Sequence, residues 1–311
     1  MAIIKKEAYF NSSTGVNKIR TLIWIDDSVE PSAVFQISHG VGEHMERYSD
    51  FAEFLASKGF IVCGNDHIGH GKSVDCEDDL GFTAEKDGYR RMVDDMHILY
   101  SIMHRRYPEL PYILFGHSMG SLCARVYAST FGADLAGLII CGTVQVPSGL
   151  NFTIDTFDKL AAKFGPRTVN SKVASLINKT SALGIPDRVT DFDWLSYNKE
   201  NVRKYIEDPL CGSELSLAGI RDLACLGILA SDNMCASTIP VDLPIFIISG
   251  NEDPVGFNGK APVACADALE KTGHTSVETV IYPHARHEIL NEDCKEKVYY
   301  DILGWLNTVL F

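Results

Sequence analysis

The chain contains six short runs of mostly apolar residues, rich in β-branched side chains, and five of them end in glycine. Continuous apolar runs of this length are typical of strands in a parallel sheet, which helices cover on both faces. The pattern therefore predicts a mostly parallel central sheet. The six runs are 33–40, 60–64, 112–116, 138–142, 245–250 and 277–282.

Stretches with helical spacing of apolar residues lie between these runs. They are Tyr48–Lys58, Arg90–Tyr107, Leu122–Phe131 and Lys295–Leu310. Alternating strands and helices predict an α/β fold. The segment Lys18–Ile25 alternates polar and apolar residues instead, which predicts an antiparallel hairpin at one sheet edge.

The alternation stops between residues 143 and 239, where helical patches such as Leu217–Leu229 occur without a clear strand run. We interpret this region as a helical insertion and not as a second domain. The predicted organisation is a core domain of residues 1–142 and 240–311, with a helical cap at 143–239.

The composition limits the functional class. With 28 Lys and Arg against 41 Asp and Glu, the net charge is −13, which argues against general affinity for nucleic acid or anionic membranes. Nine cysteines without a C-x-x-C pair predict free thiols in a reducing compartment. The chain shows neither a signal-peptide pattern nor an apolar run of about 18 residues. We therefore expect a cytoplasmic protein without an integral membrane span; its oligomeric state stays open.

The sharpest local motif is Gly116-His-Ser-Met-Gly120, a G-x-S-x-G sequence between a predicted strand and a predicted helix. In that context the motif forms a nucleophile elbow, a sharp turn that exposes the serine hydroxyl. The following helix N-terminus offers backbone N–H groups to a developing oxyanion. The motif predicts Ser118 as a nucleophile.

A serine hydroxyl needs a base, and the base needs an acid to orient it. Asp253 follows the run that ends at Gly250, and His287 follows the run that ends at Tyr282. Both therefore lie beyond strand C-termini, the edge of a parallel sheet where sites form. The order Ser118, Asp253, His287 is that of α/β-hydrolase triads. Glu252 and His284 are the rival acid and base.

The loop after the first strong strand, His39-Gly-Val-Gly-Glu-His44, is in the position that supplies the second oxyanion N–H in α/β-hydrolases. The predicted oxyanion donors are the N–H groups of Val41 and Met119. Met45 replaces the third glycine of a dinucleotide-binding motif, and Asp66 replaces the first glycine of a P-loop. The loop histidines lack helical i, i+4 spacing, so we expect no nucleotide, cofactor or metal. These histidines are His39, His44, His67 and His70.

Several motifs together resemble the monoacylglycerol lipase and lysophospholipase group of α/β-hydrolases, in the serine aminopeptidase S33 family. The resemblance covers about residues 33–310. The motifs that carry it are His39–His44 with Arg47-Tyr48, Asp66–Ser73, Gly116–Gly120, Tyr197-Asn-Lys and Asp208-Pro-Leu.

The resemblance implies an α/β-hydrolase fold, the triad Ser118–Asp253–His287, the oxyanion hole at Val41 and Met119, and a cap over an acyl pocket. It also implies that Glu43, Arg47 and Tyr205 form a polar end that receives glycerol. An internal salt-bridge network is the equally weighted alternative for these three. Two departures stand out: Ser121 replaces a second glycine, and Leu290 replaces a glycerol-contacting histidine.

The sequence thus predicts a cofactor-free serine ester hydrolase that acts on small acyl esters resembling monoacylglycerols or lysophospholipids. One alternative is a peptidase for small amides, with Glu43 or Glu214 as the amine-binding acid. Another is a non-catalytic ligand-binding protein on the same scaffold.

Overall fold

Eight strands form one sheet in this computed structural model, which describes residues 3–147, 149–170, 185–186 and 188–311. Their order across the sheet is β1-β2-β4-β3-β5-β6-β7-β8. The strands are β1 (Ile3–Asn11), β2 (Lys18–Asp26), β3 (Ala33–Ser38), β4 (Phe60–Asn65), β5 (Tyr112–His117), β6 (Gly137–Cys141), β7 (Ile245–Gly250) and β8 (Val277–Tyr282).

Strands β3 to β8 are parallel, with Phe35 opposite Val62 on one side and Ile113 on the other. Strand β1 pairs with β2, and β2 pairs with β4, both antiparallel. The mostly parallel sheet and the antiparallel edge hairpin are therefore confirmed.

Nine α-helices pack around the sheet or connect its strands in the described part of the chain. Three short 3₁₀ turns, at Met45–Tyr48, Glu77–Asp79 and Gly132–Asp134, add to them. The α-helices are α1 (Ser49–Ala56), α2 (Gly88–Arg106), α3 (Met119–Phe131), α4 (Asn151–Phe164), α5 (Lys199–Glu207), α6 (Leu217–Ala230), α7 (Asn233–Thr238), α8 (Lys260–Lys271) and α9 (Lys295–Leu310).

Both faces of the sheet are buried, which explains why its strands are apolar without alternation. Along β3, Val34 belongs to the core that α2, α3 and α8 cover. Its neighbour Phe35 belongs to the core that α1 and α9 cover. The sheet is thus the middle layer of a three-layer α/β structure, and the loops at the C-terminal ends of its strands stay free to form a site.

The segment between β6 and β7 contains helices α4 to α7 and, among its described residues, a single isolated bridge between Val169 and Ser216 in place of a strand. Helix α6 begins at a Ser216 hydroxyl that caps it, accepting from the N–H of Gly219. The limits 143 and 239 of the cap stay a prediction, and residues 148, 171–184 and 187 of that range lie outside the described residues.

The nine cysteines all lie within the described ranges, and none forms a disulfide there. Among the described helices, none has both the length and the apolar character needed to cross a bilayer.

Candidate active site

Ser118 occupies the turn between β5 and α3 in a backbone conformation rare for a side-chain-bearing residue. Its φ is 54° and its ψ is −121°, and its N–H donates to the carbonyl of Cys141 at 3.0 Å. Such strained geometry persists only where the surroundings enforce it, and it is frequent at functional sites. The turn places Ser118 at the start of α3, whose first N–H groups have no partner within the helix.

The two glycines of the motif are required by close backbone approach. A Cβ on Gly116 would lie 2.2 Å from the carbonyl oxygen of Gly120, and a Cβ on Gly120 would lie 2.0 Å from that of Ser38. Neither glycine has positive φ; the strained residue is Ser118 itself. The departure Ser121 fits this turn, because its hydroxyl donates to the Ser118 carbonyl at 2.6 Å.

His287 and Asp253 form a buried pair beside this turn. Nδ1 of His287 lies 3.0 Å from Oδ2 of Asp253, and both side chains are almost completely buried. Burial by itself would lower the pKa of His287, but the Asp253 carboxylate outweighs that effect and raises the pKa above the usual histidine value. The carboxylate therefore orients the imidazole and favours its protonated form.

The rival acid and base lie elsewhere. The side chain of His284 is 91% exposed, and its Nδ1 lies 3.5 Å from a carboxylate oxygen of Glu252. Glu252 also accepts a hydrogen bond from the hydroxyl of Tyr197. These two residues form a surface pair, in contrast to the buried pair of Asp253 and His287.

A cavity of ≈ 420 Å³ brings the predicted residues together, a size common for small-molecule sites. Val41, Ser118, Met119 and His287 all line it. Within the described residues, no hydrogen bond joins the Ser118 hydroxyl to His287; hydrogen bonds between catalytic groups often tighten only when substrate binds. The remaining wall is mainly apolar, with Leu122, Val144, Val146, Leu150, Leu215, Ile220, Leu223, Ala224 and Ile228.

A buried ion-pair network supports the loop that contains Val41. Glu43 accepts hydrogen bonds from the N–H of Gly40 at 2.6 Å and from the hydroxyl of Tyr48 at 2.7 Å. Arg47 donates to Glu43 at 2.7 Å and to both carboxylate oxygens of Glu288 at 2.6 and 2.7 Å. Burial would raise the pKa of Glu43, but the nearby Arg47 outweighs it and lowers the pKa to about 2.

Tyr205 joins this network from α5. Its hydroxyl donates to the carbonyl of Gly42 at 2.9 Å, and Arg47 lies over its ring at 4.9 Å. These contacts are those of the internal-network alternative. Glu43 and Tyr205 also line the cavity, whereas Arg47 lies behind them, so substrate contact stays a prediction for all three.

Among the cavity residues that were not singled out from the sequence for this site are His117, Trp194 and Glu288. The rings of His117 and Trp194 lie 4.7 and 5.2 Å from the ring of His287. Burial and the neighbouring His287 lower the pKa of His117 to about 4, so His117 is neutral at neutral pH. Two features of the sequence could have identified His117 and Glu288 as site residues: His117 lies within the G-x-S-x-G motif, and Glu288 follows His287 directly.

The loop histidines mostly bond to nearby groups. His39 Nδ1 contacts the Gly40 carbonyl at 2.7 Å, and His67 Nε2 contacts the Ser38 hydroxyl at 2.8 Å. A mixed group of possible metal ligands exists at His44, Asp208 and Cys211, whose ligand atoms lie within 4.8 Å of one another. His44 Nε2 lies 3.0 Å from Asp208 Oδ2, so a histidine–carboxylate hydrogen bond accounts for this pair.

Comparison with known proteins gives consistent results. Residues 29–294 match the model of the family described as serine aminopeptidase, S33. A monoacylglycerol lipase of Mycolicibacterium smegmatis is 27% identical over 301 residues, which cover 95% of this chain and 96% of that protein. The human monoglyceride lipase is 28% identical over 289 residues, covering 89% of this chain and 83% of that protein.

Solved structures agree with the fold. A thermostable carboxyl esterase from Bacillus coagulans, in complex with glycerol, superposes with a TM-score of 0.92 at 31% identity and covers 100% of both chains. A soluble variant of the Saccharomyces cerevisiae monoglyceride lipase superposes with a TM-score of 0.78 over 99% of this chain and 97% of that chain. At 20% identity, the latter supports the fold alone.

Proposed function

Since the chain belongs to the serine aminopeptidase S33 family, with the α/β-hydrolase fold predicted from its motifs, we propose that it hydrolyses carboxylic esters through an acyl-enzyme on Ser118. Monoacylglycerol- or lysophospholipid-like esters are the proposed substrates. Relatives that match 95–100% of this chain include a monoacylglycerol lipase and a carboxyl esterase, which supports ester hydrolysis as the activity.

The single observation that carries the proposal is the arrangement of Ser118 and His287 on one cavity. The strained Ser118 turn and His287 both line it, Asp253 is buried behind His287 at hydrogen-bond distance, and much of the remaining wall is apolar. A hydroxyl, a base of raised pKa and an orienting carboxylate are the parts of a serine hydrolase triad.

The reaction proceeds in two halves. His287 Nε2 takes the hydroxyl proton while Ser118 Oγ bonds to the ester carbonyl carbon. The tetrahedral intermediate then collapses, and the leaving alkoxide receives that proton. Water repeats the sequence on the acyl-enzyme and releases the carboxylic acid. Asp253 holds the imidazole tautomer and stabilises the imidazolium without taking the proton itself.

The negative oxygen of each intermediate faces the N–H groups of Val41 and Met119. Both residues line the cavity, and Met119 is the first residue of α3, where N–H groups lack helical partners. Each donor is worth about 10²–10³ in kcat. The contact of Glu43 with the Gly40 N–H positions the loop that holds Val41.

The lining of the cavity combines apolar side chains, called here its apolar part, with a few polar side chains, called here its polar part. Helix α6 contributes Ile220, Leu223, Ala224 and Ile228 to the apolar part, which accepts the acyl chain. Glu43 and Tyr205 lie at the polar part, which accepts the alcohol. Leu290, at the position of a glycerol-contacting histidine in the group, is buried in the core against α1 and α9, so this chain contacts an alcohol differently there.

The test is hydrolysis of p-nitrophenyl esters from C2 to C16 by the wild type and by Ser118→Ala. Loss of about 10⁶ in kcat is expected for Ser118→Ala, and a C8–C16 optimum is expected from the apolar wall. Ser129→Ala, on the same helix, is the matched control and retains activity. Near-full turnover by Ser118→Ala refutes the nucleophile, and a C2–C4 optimum refutes the lipid-like substrate.

A further inference from the structure

Apart from the histidines, the ionisable side chains that line the cavity are carboxylates. Within the described chain, Glu43, Glu214 and Glu288 line it, and no lysine or arginine does. Arg47 lies behind the wall and binds both Glu43 and Glu288, so one cation is shared by two carboxylates. The cavity therefore has an excess of negative charge, which attracts cations and repels anions.

Glu214 differs from the other two carboxylates. Glu43 and Glu288 are buried and held by Arg47, whereas the Glu214 carboxylate has no hydrogen-bond or ion-pair partner among the described residues. A half-buried carboxylate on the wall of a mainly apolar cavity remains available to a ligand.

The backbone just before Glu214 contacts the oxyanion loop. Two residues before it, the N–H of Gly212 donates to the carbonyl of Gly42 in the oxyanion loop at 2.8 Å. The neighbouring carbonyl of Ser213 lies 3.7 Å from the position of a Cβ on Gly42. Since Gly42 also accepts from Tyr205, the segment adjoins the part of the cavity that receives the alcohol.

Aromatic rings and an unpaired hydroxyl lie near this segment. The rings of Phe192 and Tyr205 lie 5.2 Å apart, and both approach a Cβ built on Gly212, to 3.5 and 3.6 Å. No cation lies over the Phe192 ring within the described residues, and aromatic faces attract ammonium groups. The hydroxyl oxygen of Ser213 is buried and has no hydrogen-bond partner among the described residues.

We propose that Glu214 and Phe192 form a subsite for an ammonium group on the alcohol part of the substrate. This inference rests on the proposed ester hydrolysis and narrows its substrate class. Esters of uncharged or cationic alcohols are accepted. Esters whose alcohol carries a phosphate or sulfonate and no ammonium group are disfavoured. The carboxylate supplies charge attraction, and the ring supplies a cation–π contact.

The experiment compares three octanoate esters of similarly sized alcohols. They are octanoylcholine, which is cationic, 3,3-dimethylbutyl octanoate, which is its neutral isostere, and the octanoate ester of 2-hydroxyethanesulfonate, which is anionic. The readout is the ratio of kcat/KM for each charged ester to that for the neutral one. This ratio cancels any general effect of a substitution on folding or catalysis.

For the wild type we expect the order cationic, neutral, anionic. Glu214→Gln should lower the cationic-to-neutral ratio about fivefold, since partly exposed charge pairs contribute up to about that factor, and should raise the anionic-to-neutral ratio. Phe192→Leu should lower the cationic ratio about twofold to fivefold. Glu270→Gln removes an equal charge from the exposed face of α8 and should leave both ratios unchanged.

The outcomes separate the two proposals. Absence of turnover of all three esters contradicts the ester hydrolase assignment itself. Turnover of the neutral ester with ratios unaffected by Glu214→Gln overturns the subsite alone. A second pair of substrates tests the acyl side: methyl 8-aminooctanoate carries an ammonium group at the end of its acyl chain, and methyl octanoate does not. A Glu214-dependent preference for the aminooctanoate ester, without a Glu214-dependent preference for octanoylcholine, overturns the placement of the subsite at the alcohol.

Discussion

Replacing Arg47 by methionine tests the buried network that supports the oxyanion loop. Arg47 is the shared cation of Glu43 and Glu288, and the three side chains are between 4% and 9% exposed. The substitution keeps an unbranched, uncharged stem but leaves two buried carboxylates without their counter-charge. Its effect therefore reports how strongly these charges depend on each other.

The magnitude follows from burial. Breaking a buried ion pair by removal of one partner costs about 3–5 kcal/mol, because a charge stays buried and uncompensated. We expect a loss of this size in the free energy of unfolding at pH 7.5. The two carboxylates still accept hydrogen bonds in the variant, Glu43 from Gly40 and Tyr48 and Glu288 from Asn201. These bonds favour a loss near the lower end of that range.

The pH dependence gives a sharper signature. In the wild type the pKa of Glu43 is lowered to about 2 from 4.5, so its contribution to stability is present above 4.5 and is lost as pH falls below it. In Arg47→Met, two adjacent buried carboxylates raise each other's pKa, and the folded state then binds protons more readily than the unfolded state. The free energy of unfolding of Arg47→Met should therefore lie closer to that of the wild type at pH 5.5 than at pH 7.5, by about 1–2 kcal/mol.

Urea denaturation at both pH values measures these differences. Arg203→Met is the matched control, because Arg203 also bridges two glutamates, Glu200 and Glu207, but on the exposed surface of α5. Its unfolding midpoint should stay at the wild-type value. A loss below about 1 kcal/mol for Arg47→Met, or an equal loss at both pH values, would refute the reasoning.

Four further predictions concern catalysis and the fold. Asp253→Asn should lower kcat on p-nitrophenyl octanoate by about 10⁴, whereas Glu252→Gln and His284→Ala, which change the exposed pair, should keep wild-type rates; equal losses would contradict the choice of acid. Because the pKa of His287 is raised and the neutral imidazole is the base, kcat/KM should fall with decreasing pH through a value above 6.5, and the residual activity of Asp253→Asn should fall at a lower pH. Gly120→Ala brings a Cβ within 2.0 Å of the Ser38 carbonyl and should lower the melting temperature strongly, while Gly304→Ala, with no atom within 4 Å on the exposed face of α9, should leave it equal or higher. Ala224→Phe on the cavity wall should shift the ester optimum to shorter chains, and an unchanged chain-length profile would remove α6 from the acyl site.

The local features of the fold followed from the sequence alone. Each predicted strand lies within one residue or two of an observed strand, because apolar runs bounded by glycine are local patterns. The predicted helix Lys295–Leu310 has the same limits in the structure. Helix α8 has no counterpart among the predicted helices; its Pro262 lies in the first turn, where a missing N–H is tolerated.

The candidate triad was also visible in the sequence, since strand C-termini meet at one edge of a parallel sheet and its three residues follow such ends. The choice between the candidate acids and between the candidate bases depended on the tertiary structure. Asp253 and Glu252 are adjacent in sequence, and the sequence does not distinguish them as the acid. In the structure Asp253 is buried against His287, whereas Glu252 lies beside the exposed His284. The same holds for Arg47, whose partners Glu43 and Glu288 lie 4 and 241 residues away.

The sequence by itself thus determined what depends on neighbours along the chain: the strands, most helices, the serine turn and the order of acid and base. Only the tertiary structure decided which side chains share a cavity. It brought Trp194 against His287 and placed Glu214 on the wall of the same cavity, without a side-chain partner among the described residues. The physical reason is that burial and charge pairing depend on contacts between distant segments, and no local pattern of residues records those contacts.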